Sequence, residues 1–251
     1  MEHYATAQQV WAAGMVFFRV GSMVMVMPGI GETYVPASVR LAFAVLLALC
    51  LGPIVASSLP TVPDGVGTMA GYIFKEVLIG LMIGGILRVF LSSMTAAGEL
   101  VSLQTTLAFS QTANPAGAQP STSLSVFLSL MAIVLVFATG LHHTFLAAIV
   151  HSYTLFPPLK HAPLGDAAQL AEETVSKSFT LGVQLAAPVI VFSLVFNVAV
   201  GFIGRVMPQF QIFFAATPLT LLLGLSIFAL SLGAIGLVWT QAYEALLRNF
   251  V

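Results

Sequence analysis

The stretch GTMAGYIFKEVLIGLMIGGILRVFLSSMTAAG, residues 67–98, decides the fold class. An α-helix needs about 20 apolar residues to cross a hydrocarbon core of about 30 Å. This stretch exceeds that length and carries few charged residues. It therefore predicts a transmembrane helix that is strongly tilted or that projects beyond the bilayer.

Apolar runs of similar character occur along the whole chain. Hydrophobic residues make up 59% of it and charged residues only 7%, whereas an ordinary soluble domain has about 25% charged residues. We predict an all-α, multi-helix integral membrane protein with five or six long apolar helices, some kinked, and a C-terminal helical hairpin. Besides residues 67–98, the predicted helices cover about Val10–Met27, Val39–Leu59, Leu124–Ser152, Ser178–Gly204 and a last segment that ends near Leu246.

Prolines punctuate the last two predicted helices. Pro188 lies inside an apolar segment and predicts a kink there. Pro218 follows the break around Pro208 and predicts the start of the regular part of the last helix.

One segment has a different composition, between the third and fourth predicted helices. Residues 104–123 contain no charged side chain and are rich in Thr, Ser, Gln, Asn, Gly and Pro. Loops longer than about 12–15 residues are usually functional or disordered, and this one lacks the charges of a loop in bulk water. We expect a functional, partly buried loop.

Charged residues within or beside the apolar segments are the next candidates, namely Arg19, Arg88, Arg205 and, at the end of one segment, Glu99. An arginine at mid-bilayer costs about 2.5–3.5 kcal/mol on insertion scales, so it usually faces protein or water. Such residues line a pathway or pair between subunits; alternatively they snorkel to headgroups or form structural pairs. No Asp or Glu is clearly buried at the centre of a helix. The eight Lys and Arg residues are too scattered to set the membrane orientation.

Enzyme, metal and nucleic-acid signatures are not found. The single cysteine, Cys50, offers no Cys-x-x-Cys pair. The adjacent His142 and His143 point about 100° apart on a helix, so we expect no metal site. There is no nucleophile elbow and no phosphate-binding loop. A net charge of −1 gives no basic nucleic-acid footprint. We predict no enzyme activity, no cofactor and no nucleic-acid partner.

The stretch GRVMPQFQIF, residues 204–213, followed by TPLT at 217–220 and by Gly224, resembles the FliR family of flagellar type III export-gate subunits. The residues that carry this resemblance are Arg205, Pro208, Gln209, Phe213 and Pro218. Gln211 stands where the family usually has Asn, and Thr220 where Lys is common. The segment from Gln104 to the pair Asn114-Pro115 and the turn from Pro28 to Arg40 match as well.

The resemblance implies a place in a hetero-oligomer in the bacterial inner membrane, within the flagellar basal body. One copy of the chain would join two other small hydrophobic export-gate membrane proteins, beside further export-apparatus membrane subunits. A single membrane-embedded domain, 1–251, is implied: residues 1–164 resemble the ring-forming partner, and residues 165–251 form a C-terminal helical hairpin. The complex would pass exported unfolded proteins.

The resemblance also implies that the loop after the third helix plugs the channel. The loop residues expected to take part are Gln104, Phe109, Gln111, Asn114, Pro115 and Gly117. Phe109, Gln111, Asn114 and Pro115 are expected on or near the pore axis. Because these residues are uncharged, the loop can move aside without leaving a buried charge.

Two other functions stay open on the sequence alone. An injectisome-type secretion gate subunit is hard to separate from a flagellar one. A subunit of a proton-coupled small-solute transporter would also contain broken helices and intramembrane arginines. A membrane hydrolase is a distant third possibility, because no nucleophile and base are placed together.

Overall fold

The computed structural model describes residues 7–32, 34–55, 58–108, 122–159, 164–207 and 212–250. In this part the chain forms seven α-helices, followed by a 3-10 turn at Arg248–Phe250. In chain order they are α1 (Ala7–Val26), α2 (Ala37–Val55), α3 (Val66–Gln104), α4 (Ser123–Ala138), α5 (Leu141–Leu155), α6 (Leu164–Val206) and α7 (Ile212–Leu247).

The prediction of an all-α protein with five or six apolar spans is confirmed. Five helices, α1, α2, α3, α6 and α7, are long and apolar enough to cross a membrane. The consecutive pair α4 and α5 raises the number to six if it forms one broken span. The third helix is the longest of the first five at 39 residues, as its long, mostly apolar sequence indicated.

Two predicted boundaries differ from the structure. The predicted fourth helix, Leu124–Ser152, is in fact two helices, because Gly140 adopts the left-handed conformation with φ of 76° and interrupts the helix there. The third helix does not stop near Gly98 but continues to Gln104, so Glu99 lies inside it. Glu99 is exposed, and an exposed carboxylate does not have to end a helix.

The prolines inside the apolar segments do not end their helices. Helix α6 continues through Pro188, and α2 continues through Pro53. Pro218 lies within α7, which begins six residues earlier at Ile212, so the prediction that the regular helix starts at Pro218 is wrong. In an apolar solvent the remaining backbone groups have no water to bond, which favours continuing the helix on both sides of a proline.

The chain divides into two compact units, which we describe separately. The first comprises the described residues within Met1–Phe90, Gly140–Val175 and Glu244–Val251. In it, α1 packs along α2, which presents the small residues Ala44 and Ala48. Helix α3 reaches the backbone of α1 at Gly80, where an added Cβ would overlap the carbonyl oxygen of Arg19.

The second unit comprises Leu91–Thr139 and Ser176–Tyr243, again in their described residues. Glycines allow close backbone approach here too. A Cβ built at Gly98 of α3 would overlap the backbone of Ser125 at the start of α4. At Gly182 of α6, a Cβ would come within 3.0 Å of the carbonyl oxygen of Ser93 on α3. Close helix packing at small residues is the usual way in which helices associate in lipid.

The contact at Gly98 predicts a strong effect of a small substitution. Gly98→Ala places its Cβ against the backbone of Ser125, which cannot rotate away as a side chain can. We expect the free energy of unfolding to fall by roughly 1–3 kcal/mol. The measurement is the thermal unfolding midpoint of the purified chain in detergent.

Gly85→Ala is the matched control on the same helix, because a Cβ there meets no atom within 4 Å. Its midpoint should equal that of the wild type or exceed it slightly, since Ala favours a helix over Gly. Equal midpoints for the Gly98 and Gly85 variants would contradict the close contact between α3 and α4.

Candidate functional site

A cluster of small polar residues surrounds the point where the uncharged loop leaves and rejoins the helices of the second unit. We call this cluster the loop base. Its members are Ser102 and Gln104 at the end of α3, Thr105 just after it, Thr122 and Ser125 at the start of α4, Ser193 on α6 and Gly224 on α7.

The two ends of the loop are joined directly at the loop base. The Ser102 hydroxyl donates a hydrogen bond of 2.9 Å to Oγ1 of Thr122, across 20 residues of sequence. Thr122 is the N-cap of α4, and its Oγ1 also accepts the backbone N–H of Ser125 at 3.3 Å. This is the standard way to satisfy a free N–H at a helix start. The same threonine therefore begins α4 and holds it to the end of α3.

The chain leaves α3 through a strained residue. Thr106 has φ of 63°, in the left-handed region that residues other than glycine rarely adopt. Just before it, the N–H of Thr105 still bonds the carbonyl oxygen of Val101 at 2.9 Å. Two residues later, the N–H of Ala108 returns to the carbonyl oxygen of Ser102 at 3.2 Å. The direction in which the chain departs is thus fixed by backbone hydrogen bonds.

Helix α6 supplies a hydrogen bond to the last residue of α3. The Ser193 hydroxyl, which is 1% exposed, donates to Oε1 of Gln104 at 2.8 Å. Nδ2 of Asn197, one turn further along α6, donates to the Ser193 oxygen at 3.3 Å. The chain Asn197, Ser193, Gln104 is uncharged throughout, so it can lie in an apolar environment at small cost.

Helix α7 contacts Thr105, the residue that follows Gln104. Thr105 is fully buried, and its side chain lies against Gly224. A Cβ added at Gly224 would come within 2.6 Å of Cγ2 of Thr105, so only glycine fits here without a shift. Consecutive residues at the end of α3 are thus contacted by both C-terminal helices.

The structure describes only part of the predicted loop and signature. Gln104 lies in the loop base, but the other predicted loop residues and two signature residues lie outside the described residues: Phe109, Gln111, Asn114, Pro115, Gly117, Pro208 and Gln209. Phe213 lies in the first turn of α7, and Pro218 lies in its second turn. The sequence did not single out Ser193, Ser102 or Thr122, because isolated Ser and Thr residues are common in apolar helices.

Arg205 occupies the last turn of α6, where its side chain is exposed. A cation at this position interacts favourably with the partial negative charge of the helix C-terminus. The predicted break after Arg205 agrees with the end of α6 at Val206.

A second cluster, the ion-pair cluster, is centred on Arg19 in the first unit. Nε and Nη2 of Arg19 bond the two carboxylate oxygens of Glu76 at 2.5 and 3.0 Å. Nη1 reaches the carbonyl oxygen of Ser152 at 2.9 Å and its hydroxyl at 3.4 Å, and Nη2 also reaches the carbonyl oxygen of Phe156 at 2.8 Å. These contacts use all five N–H donors of the guanidinium. Cζ of Arg19 lies 4.0 Å from the ring centre of Tyr153.

The neighbouring Lys75 extends the ion-pair cluster. Its ammonium donates to the carbonyl oxygens of Pro157 and Pro158, at 3.3 and 2.7 Å. Two cations of the first unit thus hold the turn that follows α5, where the end of a helix leaves carbonyl groups unsatisfied.

Glu76 corrects an expectation drawn from the sequence. We expected no acidic residue to be buried inside a helix, yet Glu76 has no exposed surface and lies within α3. Its partner is 57 residues away in the sequence, so no local pattern reveals the pair. The pair could have been inferred only from the presence of a carboxylate in one apolar helix and of an arginine in another.

Arg88, another predicted intramembrane charge, is less buried than Arg19. Nη2 of Arg88 lies 3.7 Å from a carboxylate oxygen of Glu32, and the Arg88 side chain is 46% exposed. An exposed pair of this kind contributes little to stability. Arg19 is therefore the arginine on which the first unit depends.

Glu76→Gln tests the ion-pair cluster. The substitution removes the carboxylate charge and leaves the Arg19 guanidinium buried without a counter-charge. Breaking a buried pair in this way costs about 3–5 kcal/mol, so the thermal unfolding midpoint of the purified chain should fall sharply. Glu244→Gln is the matched control, because it breaks an exposed pair with Arg248 and should change the midpoint little.

The double substitution R19M/E76M separates charge from packing. It removes both charges at similar volume, and such replacements are often neutral or stabilising. Its midpoint should therefore exceed that of Glu76→Gln. A double variant no more stable than the single one would show that the hydrogen bonds to the turn after α5, rather than the unpaired charge, dominate.

Comparisons with known proteins identify the family to which the sequence is similar. The family model described as "Bacterial export proteins, family 1" matches residues 10–246. The flagellar biosynthetic protein FliR of Caulobacter vibrioides is 56% identical over 250 residues, which cover 100% of both chains. The FliR proteins of Escherichia coli and Aquifex aeolicus are 29% and 28% identical, and these matches cover 84% and 93% of this chain and 80% and 90% of theirs.

A family model over nearly the whole chain and a relative identical at more than half of the positions confirm the resemblance seen in the sequence. The chain belongs to the FliR family of flagellar biosynthetic proteins, within family 1 of the bacterial export proteins.

Proposed function

We propose that this subunit of the flagellar export apparatus helps to form and to plug the channel through which unfolded flagellar proteins leave the cell. The observation that carries the proposal is the loop base. A loop without charges starts and ends at one place, where the Ser102 hydroxyl bonds Oγ1 of Thr122 at 2.9 Å.

The composition of the loop suits a plug at membrane depth. Non-helical backbone is tolerated there only where protein or a water-filled cavity satisfies it. A plug must also leave the channel without carrying a charge through an apolar wall. Uncharged polar side chains such as Gln111 and Asn114 meet both needs, because they bond either water or protein.

The strength of the contacts at the loop base also suits a plug that opens. Hydrogen bonds between membrane helices average about 0.6 kcal/mol in double-mutant cycles and rarely exceed about 1.7 kcal/mol. Bonds this weak hold a loop at rest and break when a polypeptide enters the channel. Because Thr122 caps α4, the loop can rearrange while both flanking helices stay folded.

The exposed apolar surface supports a hetero-oligomer in the inner membrane. In α2, α6 and α7, only 17–22% of the apolar window is buried within the chain, against 56% in α3. We propose that these helices contact two other small hydrophobic export-gate membrane proteins and lipid, in the basal body. We also propose that residues 1–164 correspond to the ring-forming partner and residues 165–251 to a hairpin partner.

Replacing residues 110–119 by a short Gly-Ser linker should open the channel. We expect ion leakage across the membrane to rise severalfold, while assembly is retained, because the helices on either side remain capped and bonded. The measurements are the membrane potential in whole cells and the secretion of a flagellar substrate. Point substitutions at Phe109, Gln111, Asn114 or Pro115 should produce smaller increases of the same kind.

An equal linker in place of residues 61–64, the connection before α3, is the control. It should leave leakage unchanged. If substitutions in the loop alter neither leakage nor secretion, the loop does not plug the channel.

Native mass spectrometry of the tagged chain, gently extracted from its own membranes, tests the partners. We expect one copy of this chain with several copies of two other small hydrophobic proteins. A lone monomer or homodimer, reproducible in several mild detergents, would contradict the hetero-oligomer and favour the transporter alternative.

A further inference from the structure

We propose that the two C-terminal helices control the plug, through Ser193 of α6 and Gly224 of α7, which act as positioning residues for the loop base. The inference rests on the proposed plug function and adds a regulating element to it. Helices α6 and α7 then do more than line or surround a channel: a shift of either one changes the position from which the loop departs.

The contact between Thr105 and Gly224 of α7 is steric, and the Thr105 side chain has little freedom to move away. Thr105 is β-branched, so its side chain has few rotamers. Its hydroxyl donates to the carbonyl oxygen of Val101 at 2.8 Å, which holds the Cγ2 methyl toward Gly224. Rotating that methyl away would break the hydrogen bond of a fully buried hydroxyl. Any movement of α7 toward α3 at this point must therefore move Thr105 itself.

The contact with α6 is polar and directional. Ser193 of α6 is buried, and its hydroxyl donates to the side-chain oxygen of Gln104 at 2.8 Å. The same hydroxyl lies 3.4 Å from the Gln104 carbonyl oxygen. This hydrogen bond sets the position of the Gln104 side chain relative to α6.

The two contacts act where the chain changes direction. Gln104 and Thr105 are consecutive, and the next residue, Thr106, has the left-handed φ of 63° at which α3 ends. A displacement of these two residues changes the departure of the loop more than any displacement earlier in α3. The contact between Ser102 and Thr122 carries the same displacement to the other end of the loop.

Gly224→Ala and its suppressor test the steric contact. The added Cβ would displace Thr105. We expect ion leakage to rise roughly threefold to twentyfold, the factor that corresponds to the loss of one hydrogen bond between membrane helices. Thr105→Ser removes the Cγ2 methyl and keeps the hydroxyl. The double variant G224A/T105S should therefore return leakage to near the wild-type level.

Gly233→Ala is the matched control on α7, because a Cβ there meets no atom within 4 Å. It should leak no more than the wild type. If Gly224→Ala lowers the amount of assembled complex and does not raise leakage, the double variant G224A/T105S should restore the amount of complex. The measurement is a native gel.

Ser193→Ala tests the polar contact independently. Removing the hydroxyl should raise leakage within the same range without changing the amount of complex. Ser226→Ala is its control on α7, because the exposed Ser226 hydroxyl bonds only its own helix at the carbonyl oxygen of Leu222.

The outcomes separate this inference from the plug itself. Leakage from the linker variant of residues 110–119, combined with no leakage from the Gly224 and Ser193 variants, would overturn control by α6 and α7 and leave the plug intact. Leakage from Gly224→Ala that Thr105→Ser fails to suppress would overturn the steric contact. No leakage from any variant, the linker variant included, would overturn both proposals.

Discussion

The first unit depends on a single requirement, that the Arg19 guanidinium find every hydrogen-bond acceptor inside the protein. Arg19 has no exposed surface, and its acceptors come from three places: Glu76 on α3, Ser152 near the end of α5 and Phe156 beyond it. A guanidinium that lost these partners would face apolar atoms and lipid. The packing of α1 on α3, through Gly80, is what brings the charge to its partners.

In the loop base of the second unit, polar side chains also find hydrogen-bond partners inside the protein, but all of these groups are neutral. Ser193 donates to Gln104, and Ser102 donates to Thr122, so both bonds join side chains without formal charge. The difference in strength is large: breaking a buried ion pair costs about 3–5 kcal/mol, whereas a hydrogen bond between membrane helices is worth about 0.6 kcal/mol. The ion-pair cluster is therefore far more costly to break than any single hydrogen bond of the loop base.

The sequence predicted most of the fold because the bilayer sets helix length and composition so strictly. Long apolar runs predicted α1, α2, α3, α6 and α7, even where single charges such as Arg19 interrupt them. The break at Gly140 was missed, because one glycine in an apolar run is compatible with a continuous helix until its φ is known. Glu76 and Ser193 were missed because each acquires its role from a partner far away in the sequence. The role predicted from the composition of the loop stays a prediction, because residues 109–121 lie outside the described part of the chain.

The placement of Gly224 joins the family signature to the loop. The sequence near it, from Gly204 to Gly224, carries the strongest resemblance to the FliR family, yet nothing in that stretch indicated what it contacts. In the structure its last glycine faces Thr105, at the end of α3. Gly224 thus places the end of the signature stretch against Thr105, at the beginning of the uncharged segment of residues 104–123. If the loop plugs the channel, a movement of α7 at Gly224 would reach the loop through Thr105.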